Sequence, residues 1–498
     1  MPASFNGATS PDNSADLAPP EFFQDPRLTS LIDQALVGNQ ELRILAQDIA
    51  IANNEVLRRR GAYLPFFTGG LTNISYNKYS DYTPFGSDLN QIVKPGGGLF
   101  PNPLPDYLIG ANVSWQVDIW RQLRNARDAA SLRYLGTVDG RNFVVTRMVA
   151  EIAQNYYKLM AYDNQLATLD ATIALQEQSL TMARAQMEAA RGTELGVQRF
   201  LAEVQKNQSQ KLIIRQAIVE TENRINFLCG RYPQPVDRDS ANFIELHLQA
   251  LKVGVPSQLL QNRPDVVQAE RTLAAAGLDV RVARANFFPK MIITAGVGYE
   301  AFDPKFLFYT PESLIYGVAG NLVAPLINRS AIKAEYLNAD ARQLQALYDY
   351  QRTILNAFTE VVNQITKVQN YSQSIAIKRQ QLASLEAAVD VAGKLFQNAR
   401  VEYMDVLFAQ RDRNEARIVL IETKQEQLAG IVNAYQALGG GWRYVGSPIQ
   451  TPPEGLPGNP FPAQDSAVPA APPPEEVPPP QPAATQEDNA GGPMMPSP

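Results

Sequence analysis

Two stretches of the chain carry an apolar residue at every seventh position. In the first stretch these residues are Val145, Ile152, Leu159, Leu166, Ile173 and Leu180. The second stretch repeats the series 209 positions later, with Ile354, Val361, Val368, Ile375, Leu382 and Val389. A strict seven-residue repeat indicates helices that supercoil with a left hand around their neighbours. We therefore predict two long helices, over about 121–191 and 330–400, each reaching roughly 100 Å at 1.5 Å per residue.

Shorter segments alternate apolar and polar residues with a period of two. Every odd position from 107 to 119 is apolar, and the odd positions of 291–299 are apolar as well. Period two indicates a β-strand with one apolar face, and about ten residues suit a tilted crossing of a bilayer. We predict strands over about 63–78, 106–120, 288–302 and 314–328. The residues predicted to face lipid are Tyr107, Ile109, Val113, Trp115, Val117, Met291, Ile293, Val297 and Tyr299.

The repeated ladder and the two strand pairs indicate an internal duplication. Each repeat is predicted as a helix, two strands, the long helix, a turn and a shorter helix, the shorter helices covering about 197–228 and 404–438. The predicted organisation is an N-terminal extended segment (1–26), repeat 1 (27–230), a linker or equatorial segment (231–262), repeat 2 (263–442) and a tail (443–498).

The four predicted strands cannot form a closed barrel within one chain, because single-chain membrane barrels begin at about eight strands. An open sheet edge is not tolerated in lipid, so strands that cross a membrane would have to be shared between chains. Three chains would supply twelve strands. No apolar run is long enough for a transmembrane helix. The alternative is a structural coiled-coil scaffold whose hairpins pack against protein.

Residues suited to chemistry are scarce in this sequence. The lone Cys229 excludes an internal disulfide and a cysteine metal site, and the lone His247 excludes a site with several histidines. His247 lies in a proline-punctuated stretch without a nucleophile motif, so we interpret it as structural. We predict that the protein is not an enzyme and binds no cofactor or metal.

The charge balance departs from neutrality only at the C-terminal end. The chain has 44 basic and 50 acidic residues, for a net charge of −6. Residues 451–498 contain 16 prolines, six acidic residues and no Lys or Arg, so the remainder of the chain is neutral. This composition predicts a disordered or polyproline-like tail. No basic footprint for nucleic acid is present.

Several motifs of the second repeat resemble the TolC/OprM-type outer membrane efflux protein family. They are Arg263-Pro264-Asp265-Val266, Ala283-Arg284-Ala285-Asn286-Phe287-Phe288-Pro289, Asp405-Val406-Leu407-Phe408-Ala409-Gln410-Arg411 and Ala437-Leu438-Gly439-Gly440-Gly441-Trp442. The resemblance covers roughly residues 21–445 and includes both repeats. The motifs are specific in combination, although none would be so alone.

The resemblance implies an α+β membrane protein that assembles as a homotrimer. Its twelve-stranded barrel would lie in the outer membrane of a Gram-negative-type bacterium and continue into a periplasmic coiled-coil barrel of helices. It would passively conduct small molecules, such as drugs, toxic compounds or metals, from a periplasmic adaptor and an inner-membrane pump. The segment 437–442 favours a resistance-nodulation-division pump, and a type I protein secretion duct is the alternative within the family.

The same resemblance places a gate at the helical tips, where residues 190–196 correspond to 399–405. The predicted gate residues are Asp405, Phe408, Phe396, Glu402 and Glu194. The family's acidic residue is kept as Asp405, whereas repeat 1 has Gly196 and a second family acid is Phe408 here. A threefold assembly would then carry one acidic ring and one apolar ring. Asp405 as a helix N-cap, and Phe396 as ordinary coiled-coil packing, are alternatives.

Membrane anchoring is expected to differ from that of many family members, which carry a lipidated cysteine after a signal peptide. No cysteine precedes Cys229, and the first 30 residues contain no charged segment followed by an apolar one. We expect either that an anchor was removed with an upstream segment or that the barrel alone holds the protein in the membrane.

Overall fold

A computed structural model describes residues 2, 4–5, 12–94, 97–190, 192–324, 329–398, 401 and 403–444. Two sequence-based predictions fall outside this part of the chain, namely Glu402 and the tail from residue 445 onward.

Repeat 1 contains α2 (Pro26–Gly38), α3 (Gln40–Tyr63), strands β1 (Phe66–Asn77) and β2 (Leu104–Val117), and helices α5 (Gln122–Glu188) and α6 (Glu194–Leu228). Repeat 2 contains α7 (Leu259–Asn262), α8 (Pro264–Ala285), β3 (Lys290–Ala301), β4 (Leu314–Val323), α9 (Arg329–Gln397) and α10 (Tyr403–Ala437). Two short helices lie elsewhere, α1 (Pro19–Phe23) before repeat 1 and α4 (Pro84–Leu89) between β1 and β2. The predicted α+β class is confirmed.

The structure corrects the prediction that residues 1–26 are extended. Residues Ser14–Asp16 form a 3-10 turn and α1 follows, because prolines occupy the first two positions of α1 and fit the first helical turn. Helix α1 ends at once, since Gln24 adopts a left-handed conformation at φ 53°. Within the described residues of this segment, Ser14–Asp16 and Pro19–Phe23 are therefore helical and not extended.

The first helix predicted for repeat 1 is in fact two helices. Asn39 separates α2 from α3 with an extended backbone, and its side-chain oxygen accepts a hydrogen bond from the Leu42 amide at 3.1 Å. An N-cap of this kind starts a new helix axis. In repeat 2, Arg263 separates α7 from α8 in the same way, again with an extended backbone.

All four strands form one antiparallel sheet in the order β1-β2-β3-β4. The two hairpins join through β2 and β3, where Ile109 lies opposite Tyr299 and Trp115 opposite Ile293. Residues directly opposite each other share a face, so this register joins the apolar faces of the two hairpins. A register shift between Leu71 and Asn73 marks a bulge in β1.

The shorter helices pack along the long helices α5 and α9 in two sets. We call each set, together with the parts of α5 and α9 that it contacts, a helical layer. In one layer α3 packs on α5, α5 on α8 and α8 on α9. In the other layer α6 packs on α5, α5 on α10 and α10 on α9. The seven-residue ladder of α5 faces its neighbours, and Val145, Ile152 and Leu159 are fully buried. Heptad spacing therefore provides the seams within each layer.

The largest apolar core lies where the layers meet. We call it the equatorial core: it is built from α1, α2, the middle of α5, the end of α6, the linker and α10. Its buried residues include Phe22, Ile32, Tyr156, Ile225, Phe243 and Tyr435. Phe22 stacks on Tyr435 at 4.2 Å, and the Tyr156 hydroxyl donates to Asp25 at 2.9 Å. The N-terminal segment and the linker thus hold α5 at mid-length.

In each repeat, the residue at the helix break hydrogen-bonds to the end of the last helix of that repeat. We call this contact the joint of the repeat. In repeat 1 the Asn39 side-chain amide donates to the Leu228 carbonyl oxygen at 2.8 Å. In repeat 2 the Arg263 guanidinium donates to the Ala437 carbonyl oxygen at 2.9 Å. These carbonyls end the last helix of each repeat and have no partner within it. The residue at each helix break therefore caps the end of a distant helix.

Gly439 lies beside the joint of repeat 2 and provides a test of it. It has a φ of 90°, and a Cβ at this position would collide with the carbonyl oxygen of Asn262. We expect Gly439→Ala to lower the free energy of unfolding by about 3 kcal/mol, from left-handed strain and steric overlap. The measurement is thermal or urea unfolding of the detergent-solubilised protein.

Gly393→Ala is the matched control for Gly439→Ala. Gly393 lies inside α9, and a Cβ there would meet no atom within 4 Å. The substitution should stabilise the helix slightly, by up to about 1 kcal/mol. Equal unfolding behaviour of the two variants would contradict the proposed role of the joint.

Candidate functional site

The helical tip of repeat 1 is a short turn between α5 and α6. Ala190 turns the chain with a φ of 57°, and the Thr193 hydroxyl accepts a hydrogen bond from the Gly196 amide at 3.3 Å. This contact makes Thr193 the N-cap of α6. Gly196 is then the third residue of α6.

Asp405 is the third residue of α10, so the 209-residue correspondence with Gly196 holds in the structure. The alternative that Asp405 is the N-cap of α10 is wrong, because the helix begins at Tyr403. A carboxylate in the first turn also interacts favourably with the positive end of the helix dipole. Asp405 is exposed, so its charge is available at the tip of the molecule.

An apolar cluster holds the two tips together. It contains Leu180, Ala183, Val197, Phe200 and Leu407, with Met187, Leu201 and Met404 packed against it. Val406 and Leu407 are buried, whereas Asp405 and Phe408 are exposed. Positions three apart lie on the same side of a helix. Asp405 and Phe408 therefore share the face of α10 that points away from the cluster.

Arg411 extends this face, and sequence reasoning did not identify it. Its guanidinium lies over the Phe408 ring at 5.2 Å from the centroid, and it pairs with Asp412 at 3.0 Å. The signal was available, since Arg411 follows Phe408 by three positions. The exposed face of α10 thus presents an acid, an aromatic ring and a base in successive turns.

The other predicted gate residues occupy different places. Glu194 is exposed in the first turn of α6 and accepts a hydrogen bond from the Gln198 amide at 2.7 Å. Phe396 is half-buried in the last turn of α9. Within one chain the structure joins Asp405 and Phe408 on one face, and Glu194 lies on the tip of the other repeat.

The sheet has two chemically distinct faces. All nine residues predicted to face lipid lie on one face, since they occupy alternate positions of β2 and β3 and the register places these positions opposite one another. The outer strands continue this face with Phe67, Ile74, Tyr76, Leu314, Tyr316, Val318 and Leu322. Val297, Tyr316 and Val318 are 54%, 82% and 79% exposed. Contact of this face with lipid stays a prediction.

The opposite face of the sheet is mainly polar or small. It carries Thr68, Asn73, Ser75, Asp106, Asn112, Ser114, Gln116, Thr294, Glu300 and Asn321. A sheet that is apolar on one side and polar on the other suits a wall between lipid and water. Two tryptophans mark the helical end of the sheet, where the Trp115 and Trp120 indoles donate to the carbonyl oxygens of Tyr63 and Pro289.

None of the described helices combines the length and the apolar character that a membrane-spanning helix needs. Nor do the residues placed by the structure include a group of three or more His, Cys, Asp or Glu side chains that could hold a metal ion. His247 is exposed, with its Nδ1 2.5 Å from the Glu245 carbonyl oxygen.

Comparison with known families and proteins gives a concordant result. The family model described as outer membrane efflux protein matches residues 31–231 and 255–440. The chain is 27% identical to the cation efflux system protein CusC of Escherichia coli K12, over 84% of this chain and 88% of CusC. It is 31% identical to the pyoverdine export outer membrane protein OpmQ of Pseudomonas putida, over 67% of this chain and 70% of OpmQ.

Solved structures show a similar fold. The crystal structure of CusC aligns with a TM-score of 0.77 and 24% identity, covering 89% of this chain and 97% of that one. The open state of the MtrE outer membrane channel of Neisseria gonorrhoeae aligns with a TM-score of 0.78 and 22% identity, covering 89% and 96%.

Two neighbouring residues of β4 test the assignment of the sheet faces. Val318 lies on the apolar face near the middle of the strand, and Ala319 lies on the opposite face. Val318→Arg should reduce the yield of folded protein in the membrane fraction severely, because Arg facing lipid at the bilayer midplane costs about 2–4 kcal/mol. Ala319→Arg should leave that yield close to the wild-type level. Equal yields of the two variants would refute the assignment.

Proposed function

The chain belongs to the outer membrane efflux protein family, and on that premise we propose that three copies form the outer-membrane duct of a tripartite efflux system. Membership of this family makes the protein an efflux channel of the outer membrane and not an enzyme. The duct conducts small molecules passively toward the exterior. A periplasmic adaptor and an inner-membrane pump deliver them.

The trimer proposal rests on the unpaired edges of the sheet and of both helical layers. The sheet ends in β1 and β4, one helical layer ends in α3 and α9, and the other ends in α6 and α9. In each case one edge comes from repeat 1 and the other from repeat 2. Such edges can join head to tail, and a head-to-tail contact that closes gives a ring.

The edge helices carry exposed apolar residues at coiled-coil spacing. On α9 these are Leu337, Leu344, Tyr348 and Leu355, separated by seven, four and seven positions. On α3 they are Ile44 and Ile51, and on α6 they are Leu212 and Val219. Each is about 50–66% exposed in the single chain. These stripes match the spacing of the buried ladders, so we assign them to seams between neighbouring copies.

Barrel size favours three copies. Two copies would give eight strands, and the interior of an eight-stranded barrel is just wide enough for its own side chains. Three copies give twelve strands. Three is therefore the smallest number of complete chains expected to leave an aqueous path. The polar face of the sheet, with Asn112, Ser114 and Thr294, lines that path.

The pump supplies the energy in this proposal, because the family consists of transport channels and not of enzymes. We assign the pump to the resistance-nodulation-division class on family resemblance at residues 437–442. The relatives are named for different cargoes, including cations, toluene and pyoverdine. This variety supports a duct that selects weakly among small molecules, with selection made at the pump.

The exposed face of α10 is the proposed gate of the duct. Threefold symmetry would bring three copies of Asp405 into one ring, with Phe408 beside it. Phe396 and Glu194 lie in the surrounding tips. Glu402, which is outside the described residues, is proposed for the same gate from its position in the sequence. Carboxylates held near one another attract cations and partner bases. Separation of the three tips would open the duct without any change in the sheet.

An edge variant tests the oligomeric state. The wild-type protein in detergent should have the mass of three chains by native mass spectrometry. Leu355→Glu places a charge in the proposed seam of α9 and should shift the population to single chains, because burying an unpaired carboxylate is unfavourable. Tyr82→Glu is the control, since Tyr82 is fully exposed between β1 and β2, and it should remain trimeric. A monomeric wild type, or an unaffected Leu355→Glu variant, would contradict the proposal.

Two complementary variants test the gate. Asp405→Ala should weaken block by divalent cations in planar-bilayer recordings, because it removes the acidic ring. Gly196→Asp should strengthen that block, since it adds an acid at the equivalent position of repeat 1. Space exists there, as a Cβ would meet only the Thr193 hydroxyl at 3.6 Å. Unchanged conductance and block in both variants would exclude Asp405 from the gate.

A further inference from the structure

A groove beside the linker contains a buried cation whose hydrogen-bond partner is neutral. The groove has a volume of about 510 Å³ and lies between residues 246–251 of the linker and helices α9 and α10. Lys424 of α10 lines it and is only 4% exposed. Its ammonium group contacts the side-chain oxygen of Gln427 at 3.0 Å, which is a neutral partner.

A second cation lies at the same groove. Arg379 of α9 also lines it. Burial, followed by the proximity of the Arg379 charge, lowers the pKa of Lys424 to about 8, against the opposing effect of the Glu245 carboxylate. Arg379 bonds to the Ile244 carbonyl oxygen at 2.9 Å and to the exposed Glu245 carboxylate at 3.1 Å. Its buried Nε has no hydrogen-bond partner. The two cations thus have one solvent-exposed acid, Glu245, between them. The Nε–H group of Arg379 has no acceptor.

Burial of the Lys424 charge beside Arg379 costs free energy, and an anionic group bound in the groove would offset that cost. A buried charge is tolerated in proteins when an opposite charge and further hydrogen bonds compensate for its lost hydration. The buried cation Arg263 has such partners, because it pairs with Asp265 and with Glu360, both at 2.7 Å. On the same helices as the groove, the partly exposed Lys367 of α9 pairs with Glu426 of α10 at 2.6 Å. Lys424 differs from both, since it is buried and its hydrogen-bond partner is neutral.

The third wall of the groove is an extended segment with free backbone groups. Within the part of the chain that the structure covers, the backbone N–H and C=O groups of residues 248–251 form no hydrogen bonds. Leu248, Leu251 and Ile375 supply apolar surface beside them. Free extended backbone of this kind can pair with the backbone of a second extended chain.

From these observations we propose that the groove binds an extended acidic peptide segment of a partner protein. One carboxylate of that segment sits between the Lys424 ammonium and the Arg379 guanidinium. Its backbone pairs with residues 248–251, and its apolar side chains cover Leu248 and Ile375. The surface is separate from the tip and from the sheet, so this contact is additional to the proposed gate.

Synthetic peptides in fluorescence anisotropy test the proposal on the full-length protein in detergent. A labelled peptide of three Val-Glu repeats should bind saturably, and the matched peptide of three Val-Gln repeats should not. Lys424→Met and Arg379→Gln should each weaken binding by about 10- to 100-fold, as expected for a lost charge-assisted hydrogen bond. Lys367→Met, which removes a cation that already has a partner, should leave binding unchanged.

Thermal unfolding provides a second readout that does not depend on a label. Without peptide, Lys424→Met should unfold at a higher temperature than the wild type, because it removes an uncompensated buried charge. The Val-Glu peptide should raise the unfolding temperature of the wild type and leave that of Lys424→Met unchanged. Absence of saturable binding, or equal binding to Lys424→Met, would overturn the proposal. Acetate competing as well as the peptide would assign the groove to small anions instead and would likewise overturn it.

Discussion

The pairing of strand edges is the constraint on which the rest of this structure depends. A strand that crosses a bilayer must have every backbone N–H and C=O group hydrogen-bonded, because the hydrocarbon region offers no water. The chain pairs β2 and β3 on both sides but leaves β1 and β4 with one free edge each. The sheet is therefore incomplete as a membrane structure until other copies supply its neighbours. Apolar stripes on α3, α6 and α9 occur at corresponding edges of the helical layers, so the same requirement extends along the whole molecule.

The equatorial core connects these levels within one chain. Helix α5 has 67 residues and α9 has 69, so each passes from the sheet to the tips, α5 through the equatorial core and α9 along a second buried cluster around Val361. Buried aromatic residues such as Tyr156 and Tyr435 fix α5 at mid-length, and the capping contacts of Asn39 and Arg263 hold the repeats at equivalent points. The tips depend on a much smaller apolar cluster around Phe200 and Leu407. This difference in packing suits a rigid body with tips that can separate.

Much of the fold could be predicted from the sequence because its signals are local and repeated. The seven-residue ladders indicated α5 and α9, and the alternation at 107–119 and 291–299 indicated both the strands and their shared face. Contacts between distant residues were not predictable in this way. Asn39 ends a helix while its amide bonds to a carbonyl 189 positions away, and nothing near Asn39 reveals that partner. The buried Lys424 is a similar case, because its burial depends on the linker, far away in the sequence. At the candidate gate, helical spacing joined Asp405 and Phe408, whereas the contact of Arg411 with Phe408 became evident only in the structure.

Disulfide trapping across the sheet edges tests the central claim most directly. Cysteines would replace Phe67 on β1 and, in turn, each residue of 316–322 on β4, with Cys229 changed to Ser. Within one chain β2 and β3 separate these strands by about 14 Å at ordinary strand spacing, which is too far for a disulfide. The account predicts that at least one pair forms covalent species of two and three chains, with nothing larger. A ladder that continues beyond three chains, or no cross-link at any position, would contradict it.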